Sequence, residues 1–383
     1  MTRPLRLACV FHDPQPSGAS LWLRDFLRDG MFAPHECHAI LPGESVMEPI
    51  LRTAGVPCHR VGLVAGDAMV GGLANRIARI GNRLAAITEY RHLYKAIGAT
   101  AVYVNSSVQI APMIAARLAG LPLFVHVREG WHTGRTHGLK RWCVRHLAGA
   151  CGFDASAGIK LFGPPLAGRR WEVVPNGVDA TLADRRHRAG ELRAELGLPT
   201  DRRIVLFLGT MGRRKGVHDL VECWPAIRAA HPETLLVLAG GIDPAESHPR
   251  IREAIGATPE GIRYIGFSPR AHDLLAAADF FVLPSYGEAM PISISEAMMI
   301  GTPVVARRVG DVEFQIGEGR GFLFHGDGPA SLQAALLEAL SDSVAASLRA
   351  AAAQRFAIAH LDRRAQAAHL LELVGAAIKL QAK

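Results

Sequence analysis

Two kinds of segment alternate along the chain. Short apolar runs rich in β-branched residues occur at 5–11, 38–41, 101–104 and 123–127, with weaker ones near 152–155 and at 172–174; longer Ala/Leu/Arg stretches separate them. The same alternation resumes at 204–208, 234–239, 262–265, 280–283 and 304–306. Apolar runs of this length fit strands covered on both faces, and the stretches between them fit crossover helices. Each half therefore predicts βα units winding a parallel sheet. Asn176-Gly177 is a turn signal, and the charged Arg185-Arg186-His187-Arg188 beyond it carries no strand pattern, which places the joint between the halves there. Past Ser341 the Ala, Leu and Arg content predicts two terminal helices. The fold class is α/β, with two doubly wound domains. Sheets of this kind take ligands beyond the carboxyl ends of their strands, and two of them facing one another would line a single deep cleft.

Composition narrows the partners. A chain of 383 residues suits two domains, and 49% hydrophobic with 20% charged residues is ordinary globular usage, which excludes disorder and collagen-like repeats. The formal net charge of +8 points to anionic partners: nucleotides, phospholipid surfaces or nucleic acid. Nucleic acid is the poorest of these, because the basic residues are dispersed, aromatics are 6% and no recognised motif appears. The longest apolar stretch, 110–127, is interrupted by Arg117, so no membrane-spanning helix is expected. The N-terminus lacks a cleavage-site pattern and reads as a first strand. Cys9, Cys37, Cys58, Cys143, Cys151 and Cys223 form no C-x-x-C pair and have no His at zinc spacing. The expectation is reduced thiols in a cytoplasmic protein, with neither a disulfide framework nor a structural metal.

The segment richest in chemistry runs from Phe281 to Met298: a buried strand, a loop and a helix with Pro291 near its first turn. Glu288 and Glu296 bracket that turn. Backbone N–H groups at 290–293 would point into the gap between them and, with the positive end of the helix, suit phosphate oxygens. Two carboxylates beside such a site can accept hydrogen bonds from vicinal sugar hydroxyls. A solvated loop acid and a helix-surface glutamate fit the same spacing equally well. The second segment, from Ile204 to Val217, is a strand followed by Gly209, Gly212 and Gly216 with Arg213, Arg214 and Lys215 among them. It reads as an anion loop or as a solvated turn, and it matches neither the dinucleotide fingerprint nor the P-loop.

The first half offers less. Ser17-Gly18-Ala19 makes a small-residue turn where backbone can approach a ligand. Arg128, Glu129 and His132 follow the fourth apolar run of that half, suited to acid–base work or to an Arg–Glu pair that steadies a loop; His126 reads as a core histidine. Arg76, Arg79, Arg83, Arg91 and Lys95 lie on a stretch that suits an amphipathic helix, either a solvated face or a rest for an anionic bilayer or acceptor.

Taken in order, these segments resemble the GT-B glycosyltransferases of the large retaining family 4, the glycosyl transferases group 1, over essentially the whole chain. The matches are Ser17-Gly18-Ala19, Val174-Pro-Asn-Gly-Val-Asp179, Leu208-Gly with Lys215-Gly, Leu238-Ala-Gly-Gly, Tyr264-Ile-Gly-Phe, Ala278-Asp-Phe-Phe-Val-Leu-Pro-Ser, Glu288-x7-Glu296-Ala-Met and Gly301-Thr-Pro-Val-Val-Ala. The resemblance implies two facing Rossmann-like domains with an interdomain cleft. Residues 1–178 would be the acceptor-binding domain, joined by a C-terminal helix at about 356–383, and 179–355 the nucleotide-sugar-binding domain. It implies that Glu288 contacts the transferred sugar, Glu296 the nucleotide ribose, and the amides of Ala289, Met290, Pro291 and Ile292 the diphosphate. Lys215 would neutralise the departing diphosphate. The family arginine after the glycine at 209 is Thr210 here, so either Arg213 or Arg214 substitutes for it or Lys215 and the backbone amides act alone, and the family histidine after the fourth strand is Arg128. Gly18, Thr210 and the backbone near Phe267 become donor contacts; Arg128 and His132 fall on the acceptor side.

The implied reaction is metal-independent transfer of a hexose, with retention, from a nucleotide-diphosphate sugar to a hydroxyl of a saccharide, glycolipid or small molecule. No cofactor is expected. The remaining basic surface, at 60–95 and 135–145, is assigned to an anionic acceptor or to peripheral contact with the inner face of the membrane. A sugar-nucleotide epimerase on the same scaffold and a non-catalytic nucleotide-sugar or membrane-binding protein are the rival readings. The Glu288/Glu296 spacing favours transfer over epimerisation.

Overall fold

The computed structural model describes residues 4–14, 17–62, 73–128, 137–242, 251 and 261–382; of 73–81 and 137 only the helical backbone is described. It divides into two compact units, Met1–Pro175 with Arg364–Lys383, and Asn176–Arg363. The first unit contains β1 (Arg6–Val10), α1 (Gly18–Arg28), β2 (Glu36–Pro42), α2 (Glu48–Thr53), β3 (Cys58–Val61), α3 (Leu73–Ala96), β4 (Ala101–Asn105), α4 (Ile110–Leu118), β5 (Leu123–Val127), α5 (His137–Leu147), β6 (Ala150–Phe153), α6 (Ser156–Phe162) and β7 (Arg170–Val173). Its strands run in the order β3-β2-β1-β4-β5-β6-β7, every pairing parallel.

The second unit begins with a 3-10 segment, Ala180–Arg188, and continues through α7 (Ala189–Glu195), β8 (Arg203–Leu208), α8 (Val217–Ala230), β9 (Thr234–Ala239), β10 (Ile262–Gly266), α9 (Ala271–Ala277) and β11 (Phe280–Leu283). Then come α10 (Ile292–Ile300), β12 (Val304–Arg307), α11 (Val312–Ile316), β13 (Phe322–Phe324), α12 (Pro329–Ser341) and α13 (Ser343–His360); the last helix, α14 (Arg363–Gln381), ends the chain. The sheet order is β10-β9-β8-β11-β12-β13, again all parallel. In both units the central strands are buried along their length, as the unbroken apolar runs require.

Two strands escaped the pattern. β3, Cys-His-Arg-Val, carries two adjacent polar side chains, as its place at the sheet edge allows, and β13 is only three residues long. The units divide at 175/176, three residues before the expected joint, and the chain returns at 364 where about 356 was expected. The reason is that α13 stays with the second unit: it buries Ala346, Ala350, Ala353 and Ala357, packs on α10, and sets Phe356 against Phe314 with ring centroids 5.4 Å apart. Only α14 joins the first unit, where Ala377 packs so closely on Gly149 that a Cβ there would lie 3.0 Å from the Ala377 Cα. His369 on the same helix bonds Glu172 at 2.6 Å. All six cysteines are free, and among the described residues no helix is long and apolar enough to cross a membrane.

His126 on β5 is a core histidine, as its place in the strand predicts. Its Nδ1 meets the Tyr103 hydroxyl at 2.7 Å and its ring stands edge-on to Trp22. Burial, aided by the nearby Arg128 cation, holds its pKa well below the usual 6.5. The folded ring stays neutral where the unfolded chain would bind a proton, so its contribution to stability is complete above about pH 6.5 and is lost as pH falls through that value. His126→Phe should therefore be less stable than wild type at neutral pH, with the gap in urea midpoint narrowing toward pH ~5.5; a pH-independent gap would contradict this account.

Candidate active site

In the second sheet the winding reverses between β8 and β11, and the loops leaving these neighbouring strands, 209–216 and 284–291, meet at that switch point. They are stitched together. Tyr286 N donates to Arg214 O and the Arg214 guanidinium to Gly287 O, each at 2.8 Å. Gly216 sits at φ +69°, and a Cβ on it would fall 2.2 Å from the Pro284 carbonyl oxygen, so only glycine permits this approach. The result is that Lys215 Nζ lies 2.6 Å from Glu288 Oε1, both side chains mostly buried. Among the described residues the carboxylate contacts of Glu288, with Lys215 and at 3.7 Å with Arg214, fall on Oε1, and an ammonium has three donors, so the pair keeps hydrogen-bonding capacity on both members.

Beneath the loops lies a buried polar cluster. Arg307, at the end of β12, bonds Asp219 in the first turn of α8 at 3.0 Å and the Pro284 carbonyl at 3.2 Å. Its guanidinium stacks 4.1 Å from the Tyr286 ring centre. The Tyr286 hydroxyl donates to Asp219 at 2.6 Å and accepts from Gly328 N at 3.1 Å. Burial and the bond to Asp219 both raise the Tyr286 pKa, keeping the hydroxyl a donor.

The polarity of the loop ahead of α10 follows from where its carbonyls go. Asp311 N donates to Ala289 O at 2.8 Å. Asn176 Nδ2 donates to Met290 O at 2.8 Å, and the wholly buried Gln315 donates to Pro291 O at 3.0 Å. In a trans peptide the N–H points opposite to its C=O. With these carbonyls drawn back into the protein, the N–H groups of Met290 and Ile292 face the other way, beside Glu288 and at the positive end of a nine-residue helix. Pro291, the N-cap, places no capping side chain over that end. Gly310 allows the approach from behind: at φ +53°, a Cβ on it would lie 2.2 Å from Glu288 O. Glu296 sits one turn into α10, where Oε1 meets His272 Nε2 from α9 at 2.8 Å.

The structure thus brings Lys215, Glu288, Ala289, Met290, Pro291 and Ile292 together, with Glu296 on the adjoining helix. Thr210 is exposed at the mouth of the β8 loop. Arg213 is exposed too, with no ion pair among the described residues, whereas Arg214 is committed to Gly287. Phe267, after the C-terminal end of β10, is 76% exposed. In the first unit, Gly18 opens α1 behind the N-cap Ser17. Arg128 is buried, 3.6 Å from Asp154 with its guanidinium 4.5 Å over Trp22, and so serves the interior of its unit. Glu129 and His132 lie outside the described residues, as do the side chains of Arg76 and Arg79. His272, Asn176's bond, Gln315, Asp219 and Arg307 were not legible as site residues, since each acts through a contact distant in sequence. Asn176 is legible only as part of a turn and of the interdomain family motif.

Residues 189–356 match the family model described as Glycosyl transferases group 1. The resemblance to that family holds. The group 1 match lies within the second unit and spans both loops of the site. The chain is 32% identical over 247 residues to a glycogen synthase of Mycobacterium tuberculosis, an overlap of 59% of this chain and 55% of that protein. It is 34% identical over 200 residues to an alpha-maltose-1-phosphate synthase of Mycolicibacterium smegmatis, covering 48% of this chain and 49% of that one. The chain thus spans about half the length of the curated relatives it matches. Among solved structures, Anabaena HepE, crystallised with UDP and glucose, superposes with TM-score 0.79 at 19% identity over 97% of this chain and 99% of its own. At that identity the likeness is one of fold: the α/β GT-B class, with two Rossmann-like parallel-sheet domains, is the architecture of this chain.

Removing the Tyr286 hydroxyl tests the buried cluster. Tyr286→Phe strands the Gly328 N–H and takes a donor from Asp219, which should cost about 1–3 kcal/mol in a denaturant melt. An unchanged midpoint would show that the hydroxyl contributes nothing to holding the loop.

Proposed function

We propose that the chain is a retaining, metal-independent glycosyltransferase that moves a hexose from a nucleotide-diphosphate sugar to a hydroxyl of a saccharide, glycolipid or small-molecule acceptor. The observation that carries this reading is the Lys215–Glu288 pair beside the amides of Met290 and Ile292 at the start of α10. An ammonium, two N–H groups turned away from the protein interior and a helix N-terminus form a concentration of positive potential suited to a diphosphate. The carboxylate at its edge suits a sugar hydroxyl. The glycosyl transferases named among the relatives, and the UDP and glucose bound by Anabaena HepE, support the same donor class. Retention and metal independence rest on the family resemblance.

In this reading the acceptor hydroxyl attacks the anomeric carbon from the face that the diphosphate leaves. The sugar–phosphate C–O bond breaks as the sugar–acceptor C–O bond forms, and the acceptor's hydroxyl proton passes to an oxygen of the departing diphosphate on the same face. Lys215 and the amides stabilise charge as it builds on the departing diphosphate, which is the largest contribution such a site can make. Arg213, exposed and without an ion pair among the described residues, takes the part of the arginine absent at Thr210. Phe267 presents an exposed ring and the neighbouring backbone to the base.

Release of nucleoside diphosphate from a panel of nucleotide sugars tests the proposal. Lys215→Ala and Glu288→Ala should each lower turnover about 100- to 1,000-fold, Arg213→Ala should lower it more than Arg214→Ala, and a chelator should leave it intact. Conversion of the donor sugar without an acceptor would favour an epimerase, and binding without turnover on every donor and acceptor would sink the catalytic reading.

A second observation favours contact with an anionic membrane. On α5 of the first unit Leu139 and Trp142 are exposed, with the Trp142 ring stacked on His146 at 4.9 Å and Lys140, Arg141 and Arg145 on the same helix. An apolar pair within basic residues matches the interface of an acidic bilayer, and it would bring a lipid-linked acceptor to a cytoplasmic protein at the inner face of the membrane. Sedimentation with phosphatidylglycerol-containing vesicles should fall at high salt and in Trp142→Ala. Equal indifference to both would return α5 to a solvated face.

A further inference from the structure

We propose that His272 is a positioning residue that fixes the Glu296 carboxylate for the two hydroxyls of a nucleotide ribose. The inference rests on the reading above in which Glu296 holds that ribose. Glu296 and His272 come from successive helices of the second unit, α10 and α9, which pack side by side. Their side chains meet through Oε1 and Nε2 at 2.8 Å, with the carboxylate 21% and the imidazole 39% exposed. The pair therefore lies at the surface, open to a ligand, while each member is anchored on a separate helix.

A glutamate projecting from a helix has three side-chain torsions, and ordering it on binding costs conformational entropy. A hydrogen bond already made to one of its oxygens moves that cost from binding to folding, which is how preorganisation raises affinity. Nε2 carries a donor proton in one of the two neutral tautomers as well as in the cation, and the facing carboxylate selects that tautomer, so the bond needs no protonation of the ring. A carboxylate has about four lone-pair sites. With one taken by His272, Glu296 retains capacity for two vicinal hydroxyls and has its plane set before they arrive. The loss of His272 should thus weaken recognition of the ribose hydroxyls while leaving contacts with the diphosphate untouched.

The experiment separates ribose recognition from the rest of the site. Uridine, adenosine and guanosine diphosphate are titrated calorimetrically against the full chain, and the tightest is compared with its 2′,3′-dideoxy counterpart. Wild type should prefer the ribonucleotide, and Glu296→Ala should abolish the preference. His272→Ala should cut it by about threefold to tenfold through loss of ribonucleotide affinity alone, and His272→Gln, whose amide nitrogen stands near the place of Nε2, should restore most of it. A His272→Ala chain with the full wild-type preference, beside a Glu296→Ala chain that has lost it, overturns the proposal and leaves the ribose reading standing. A full preference in Glu296→Ala, or no binding of any nucleotide by wild type, overturns that reading itself. Equal loss of affinity for both nucleotides in His272→Ala would mean that the residue merely supports the fold of the site, and overturns the positioning role.

Discussion

The candidate site depends on a buried ion pair that no ligand would touch. Arg307 and Asp219 are each only 4% exposed, and taking two charges out of water costs several kcal/mol per ion unless further hydrogen bonds meet them. They are met. Arg307 also donates to Pro284 O and Gly326 O and lies over Tyr286, while Asp219 accepts from Tyr286. These partners come from the end of β12, the start of α8 and the loops after β11 and β13. One satisfied network therefore fixes four segments at the carboxyl end of the sheet. The loops above it hold Lys215 against Glu288 because their own anchors are already in place.

Above that foundation the site uses backbone more than side chains. Three donors, Asp311 N, Asn176 and Gln315, draw successive carbonyls into the protein, and on the opposite edge of those peptides the N–H groups of Met290 and Ile292 face outward, suited to an anion. Fixed dipoles of this kind need no reorganisation as charge develops, which is why they can outweigh a flexible cation. Gly216 and Gly310 belong to the same design: each occupies left-handed backbone and lies against a carbonyl where a methyl group could not fit. The small residues of the loops thus serve close approach.

Two departures from the family pattern acquire different meanings once contacts are known. Thr210 leaves the β8 loop without its usual arginine, but Arg213 in the same loop is exposed and without an ion pair among the described residues, so a cation remains at hand. Arg128 is the reverse case. Its position after β5 suggested an acceptor contact, yet its charge is buried beside Asp154 and its plane lies on Trp22. One position kept an available charge, and the other turned its charge inward.

The sequence by itself determined the layers. Unbroken apolar runs specify strands buried on both faces, and that periodicity located most of both sheets; it failed for β3, whose edge position leaves polar residues in the pattern, and for β13, which is too short to show one. The spacing of Glu288 and Glu296 around a helix start was also legible, because charge and capping near a helix terminus are local physics. Which side chains meet was not. The Lys215–Glu288 contact joins positions 73 apart, Asn176 reaches Met290 across 114, and His272 finds Glu296 from another helix. The winding order of the sheet brings Lys215 to Glu288 by making β8 and β11 neighbours, the packing of loops and helices decides the other two meetings, and no local pattern encodes either. Even the end of the second unit was tertiary: α13 and α14 look alike as Ala-rich helices, and only the surfaces they bury assign one to each unit.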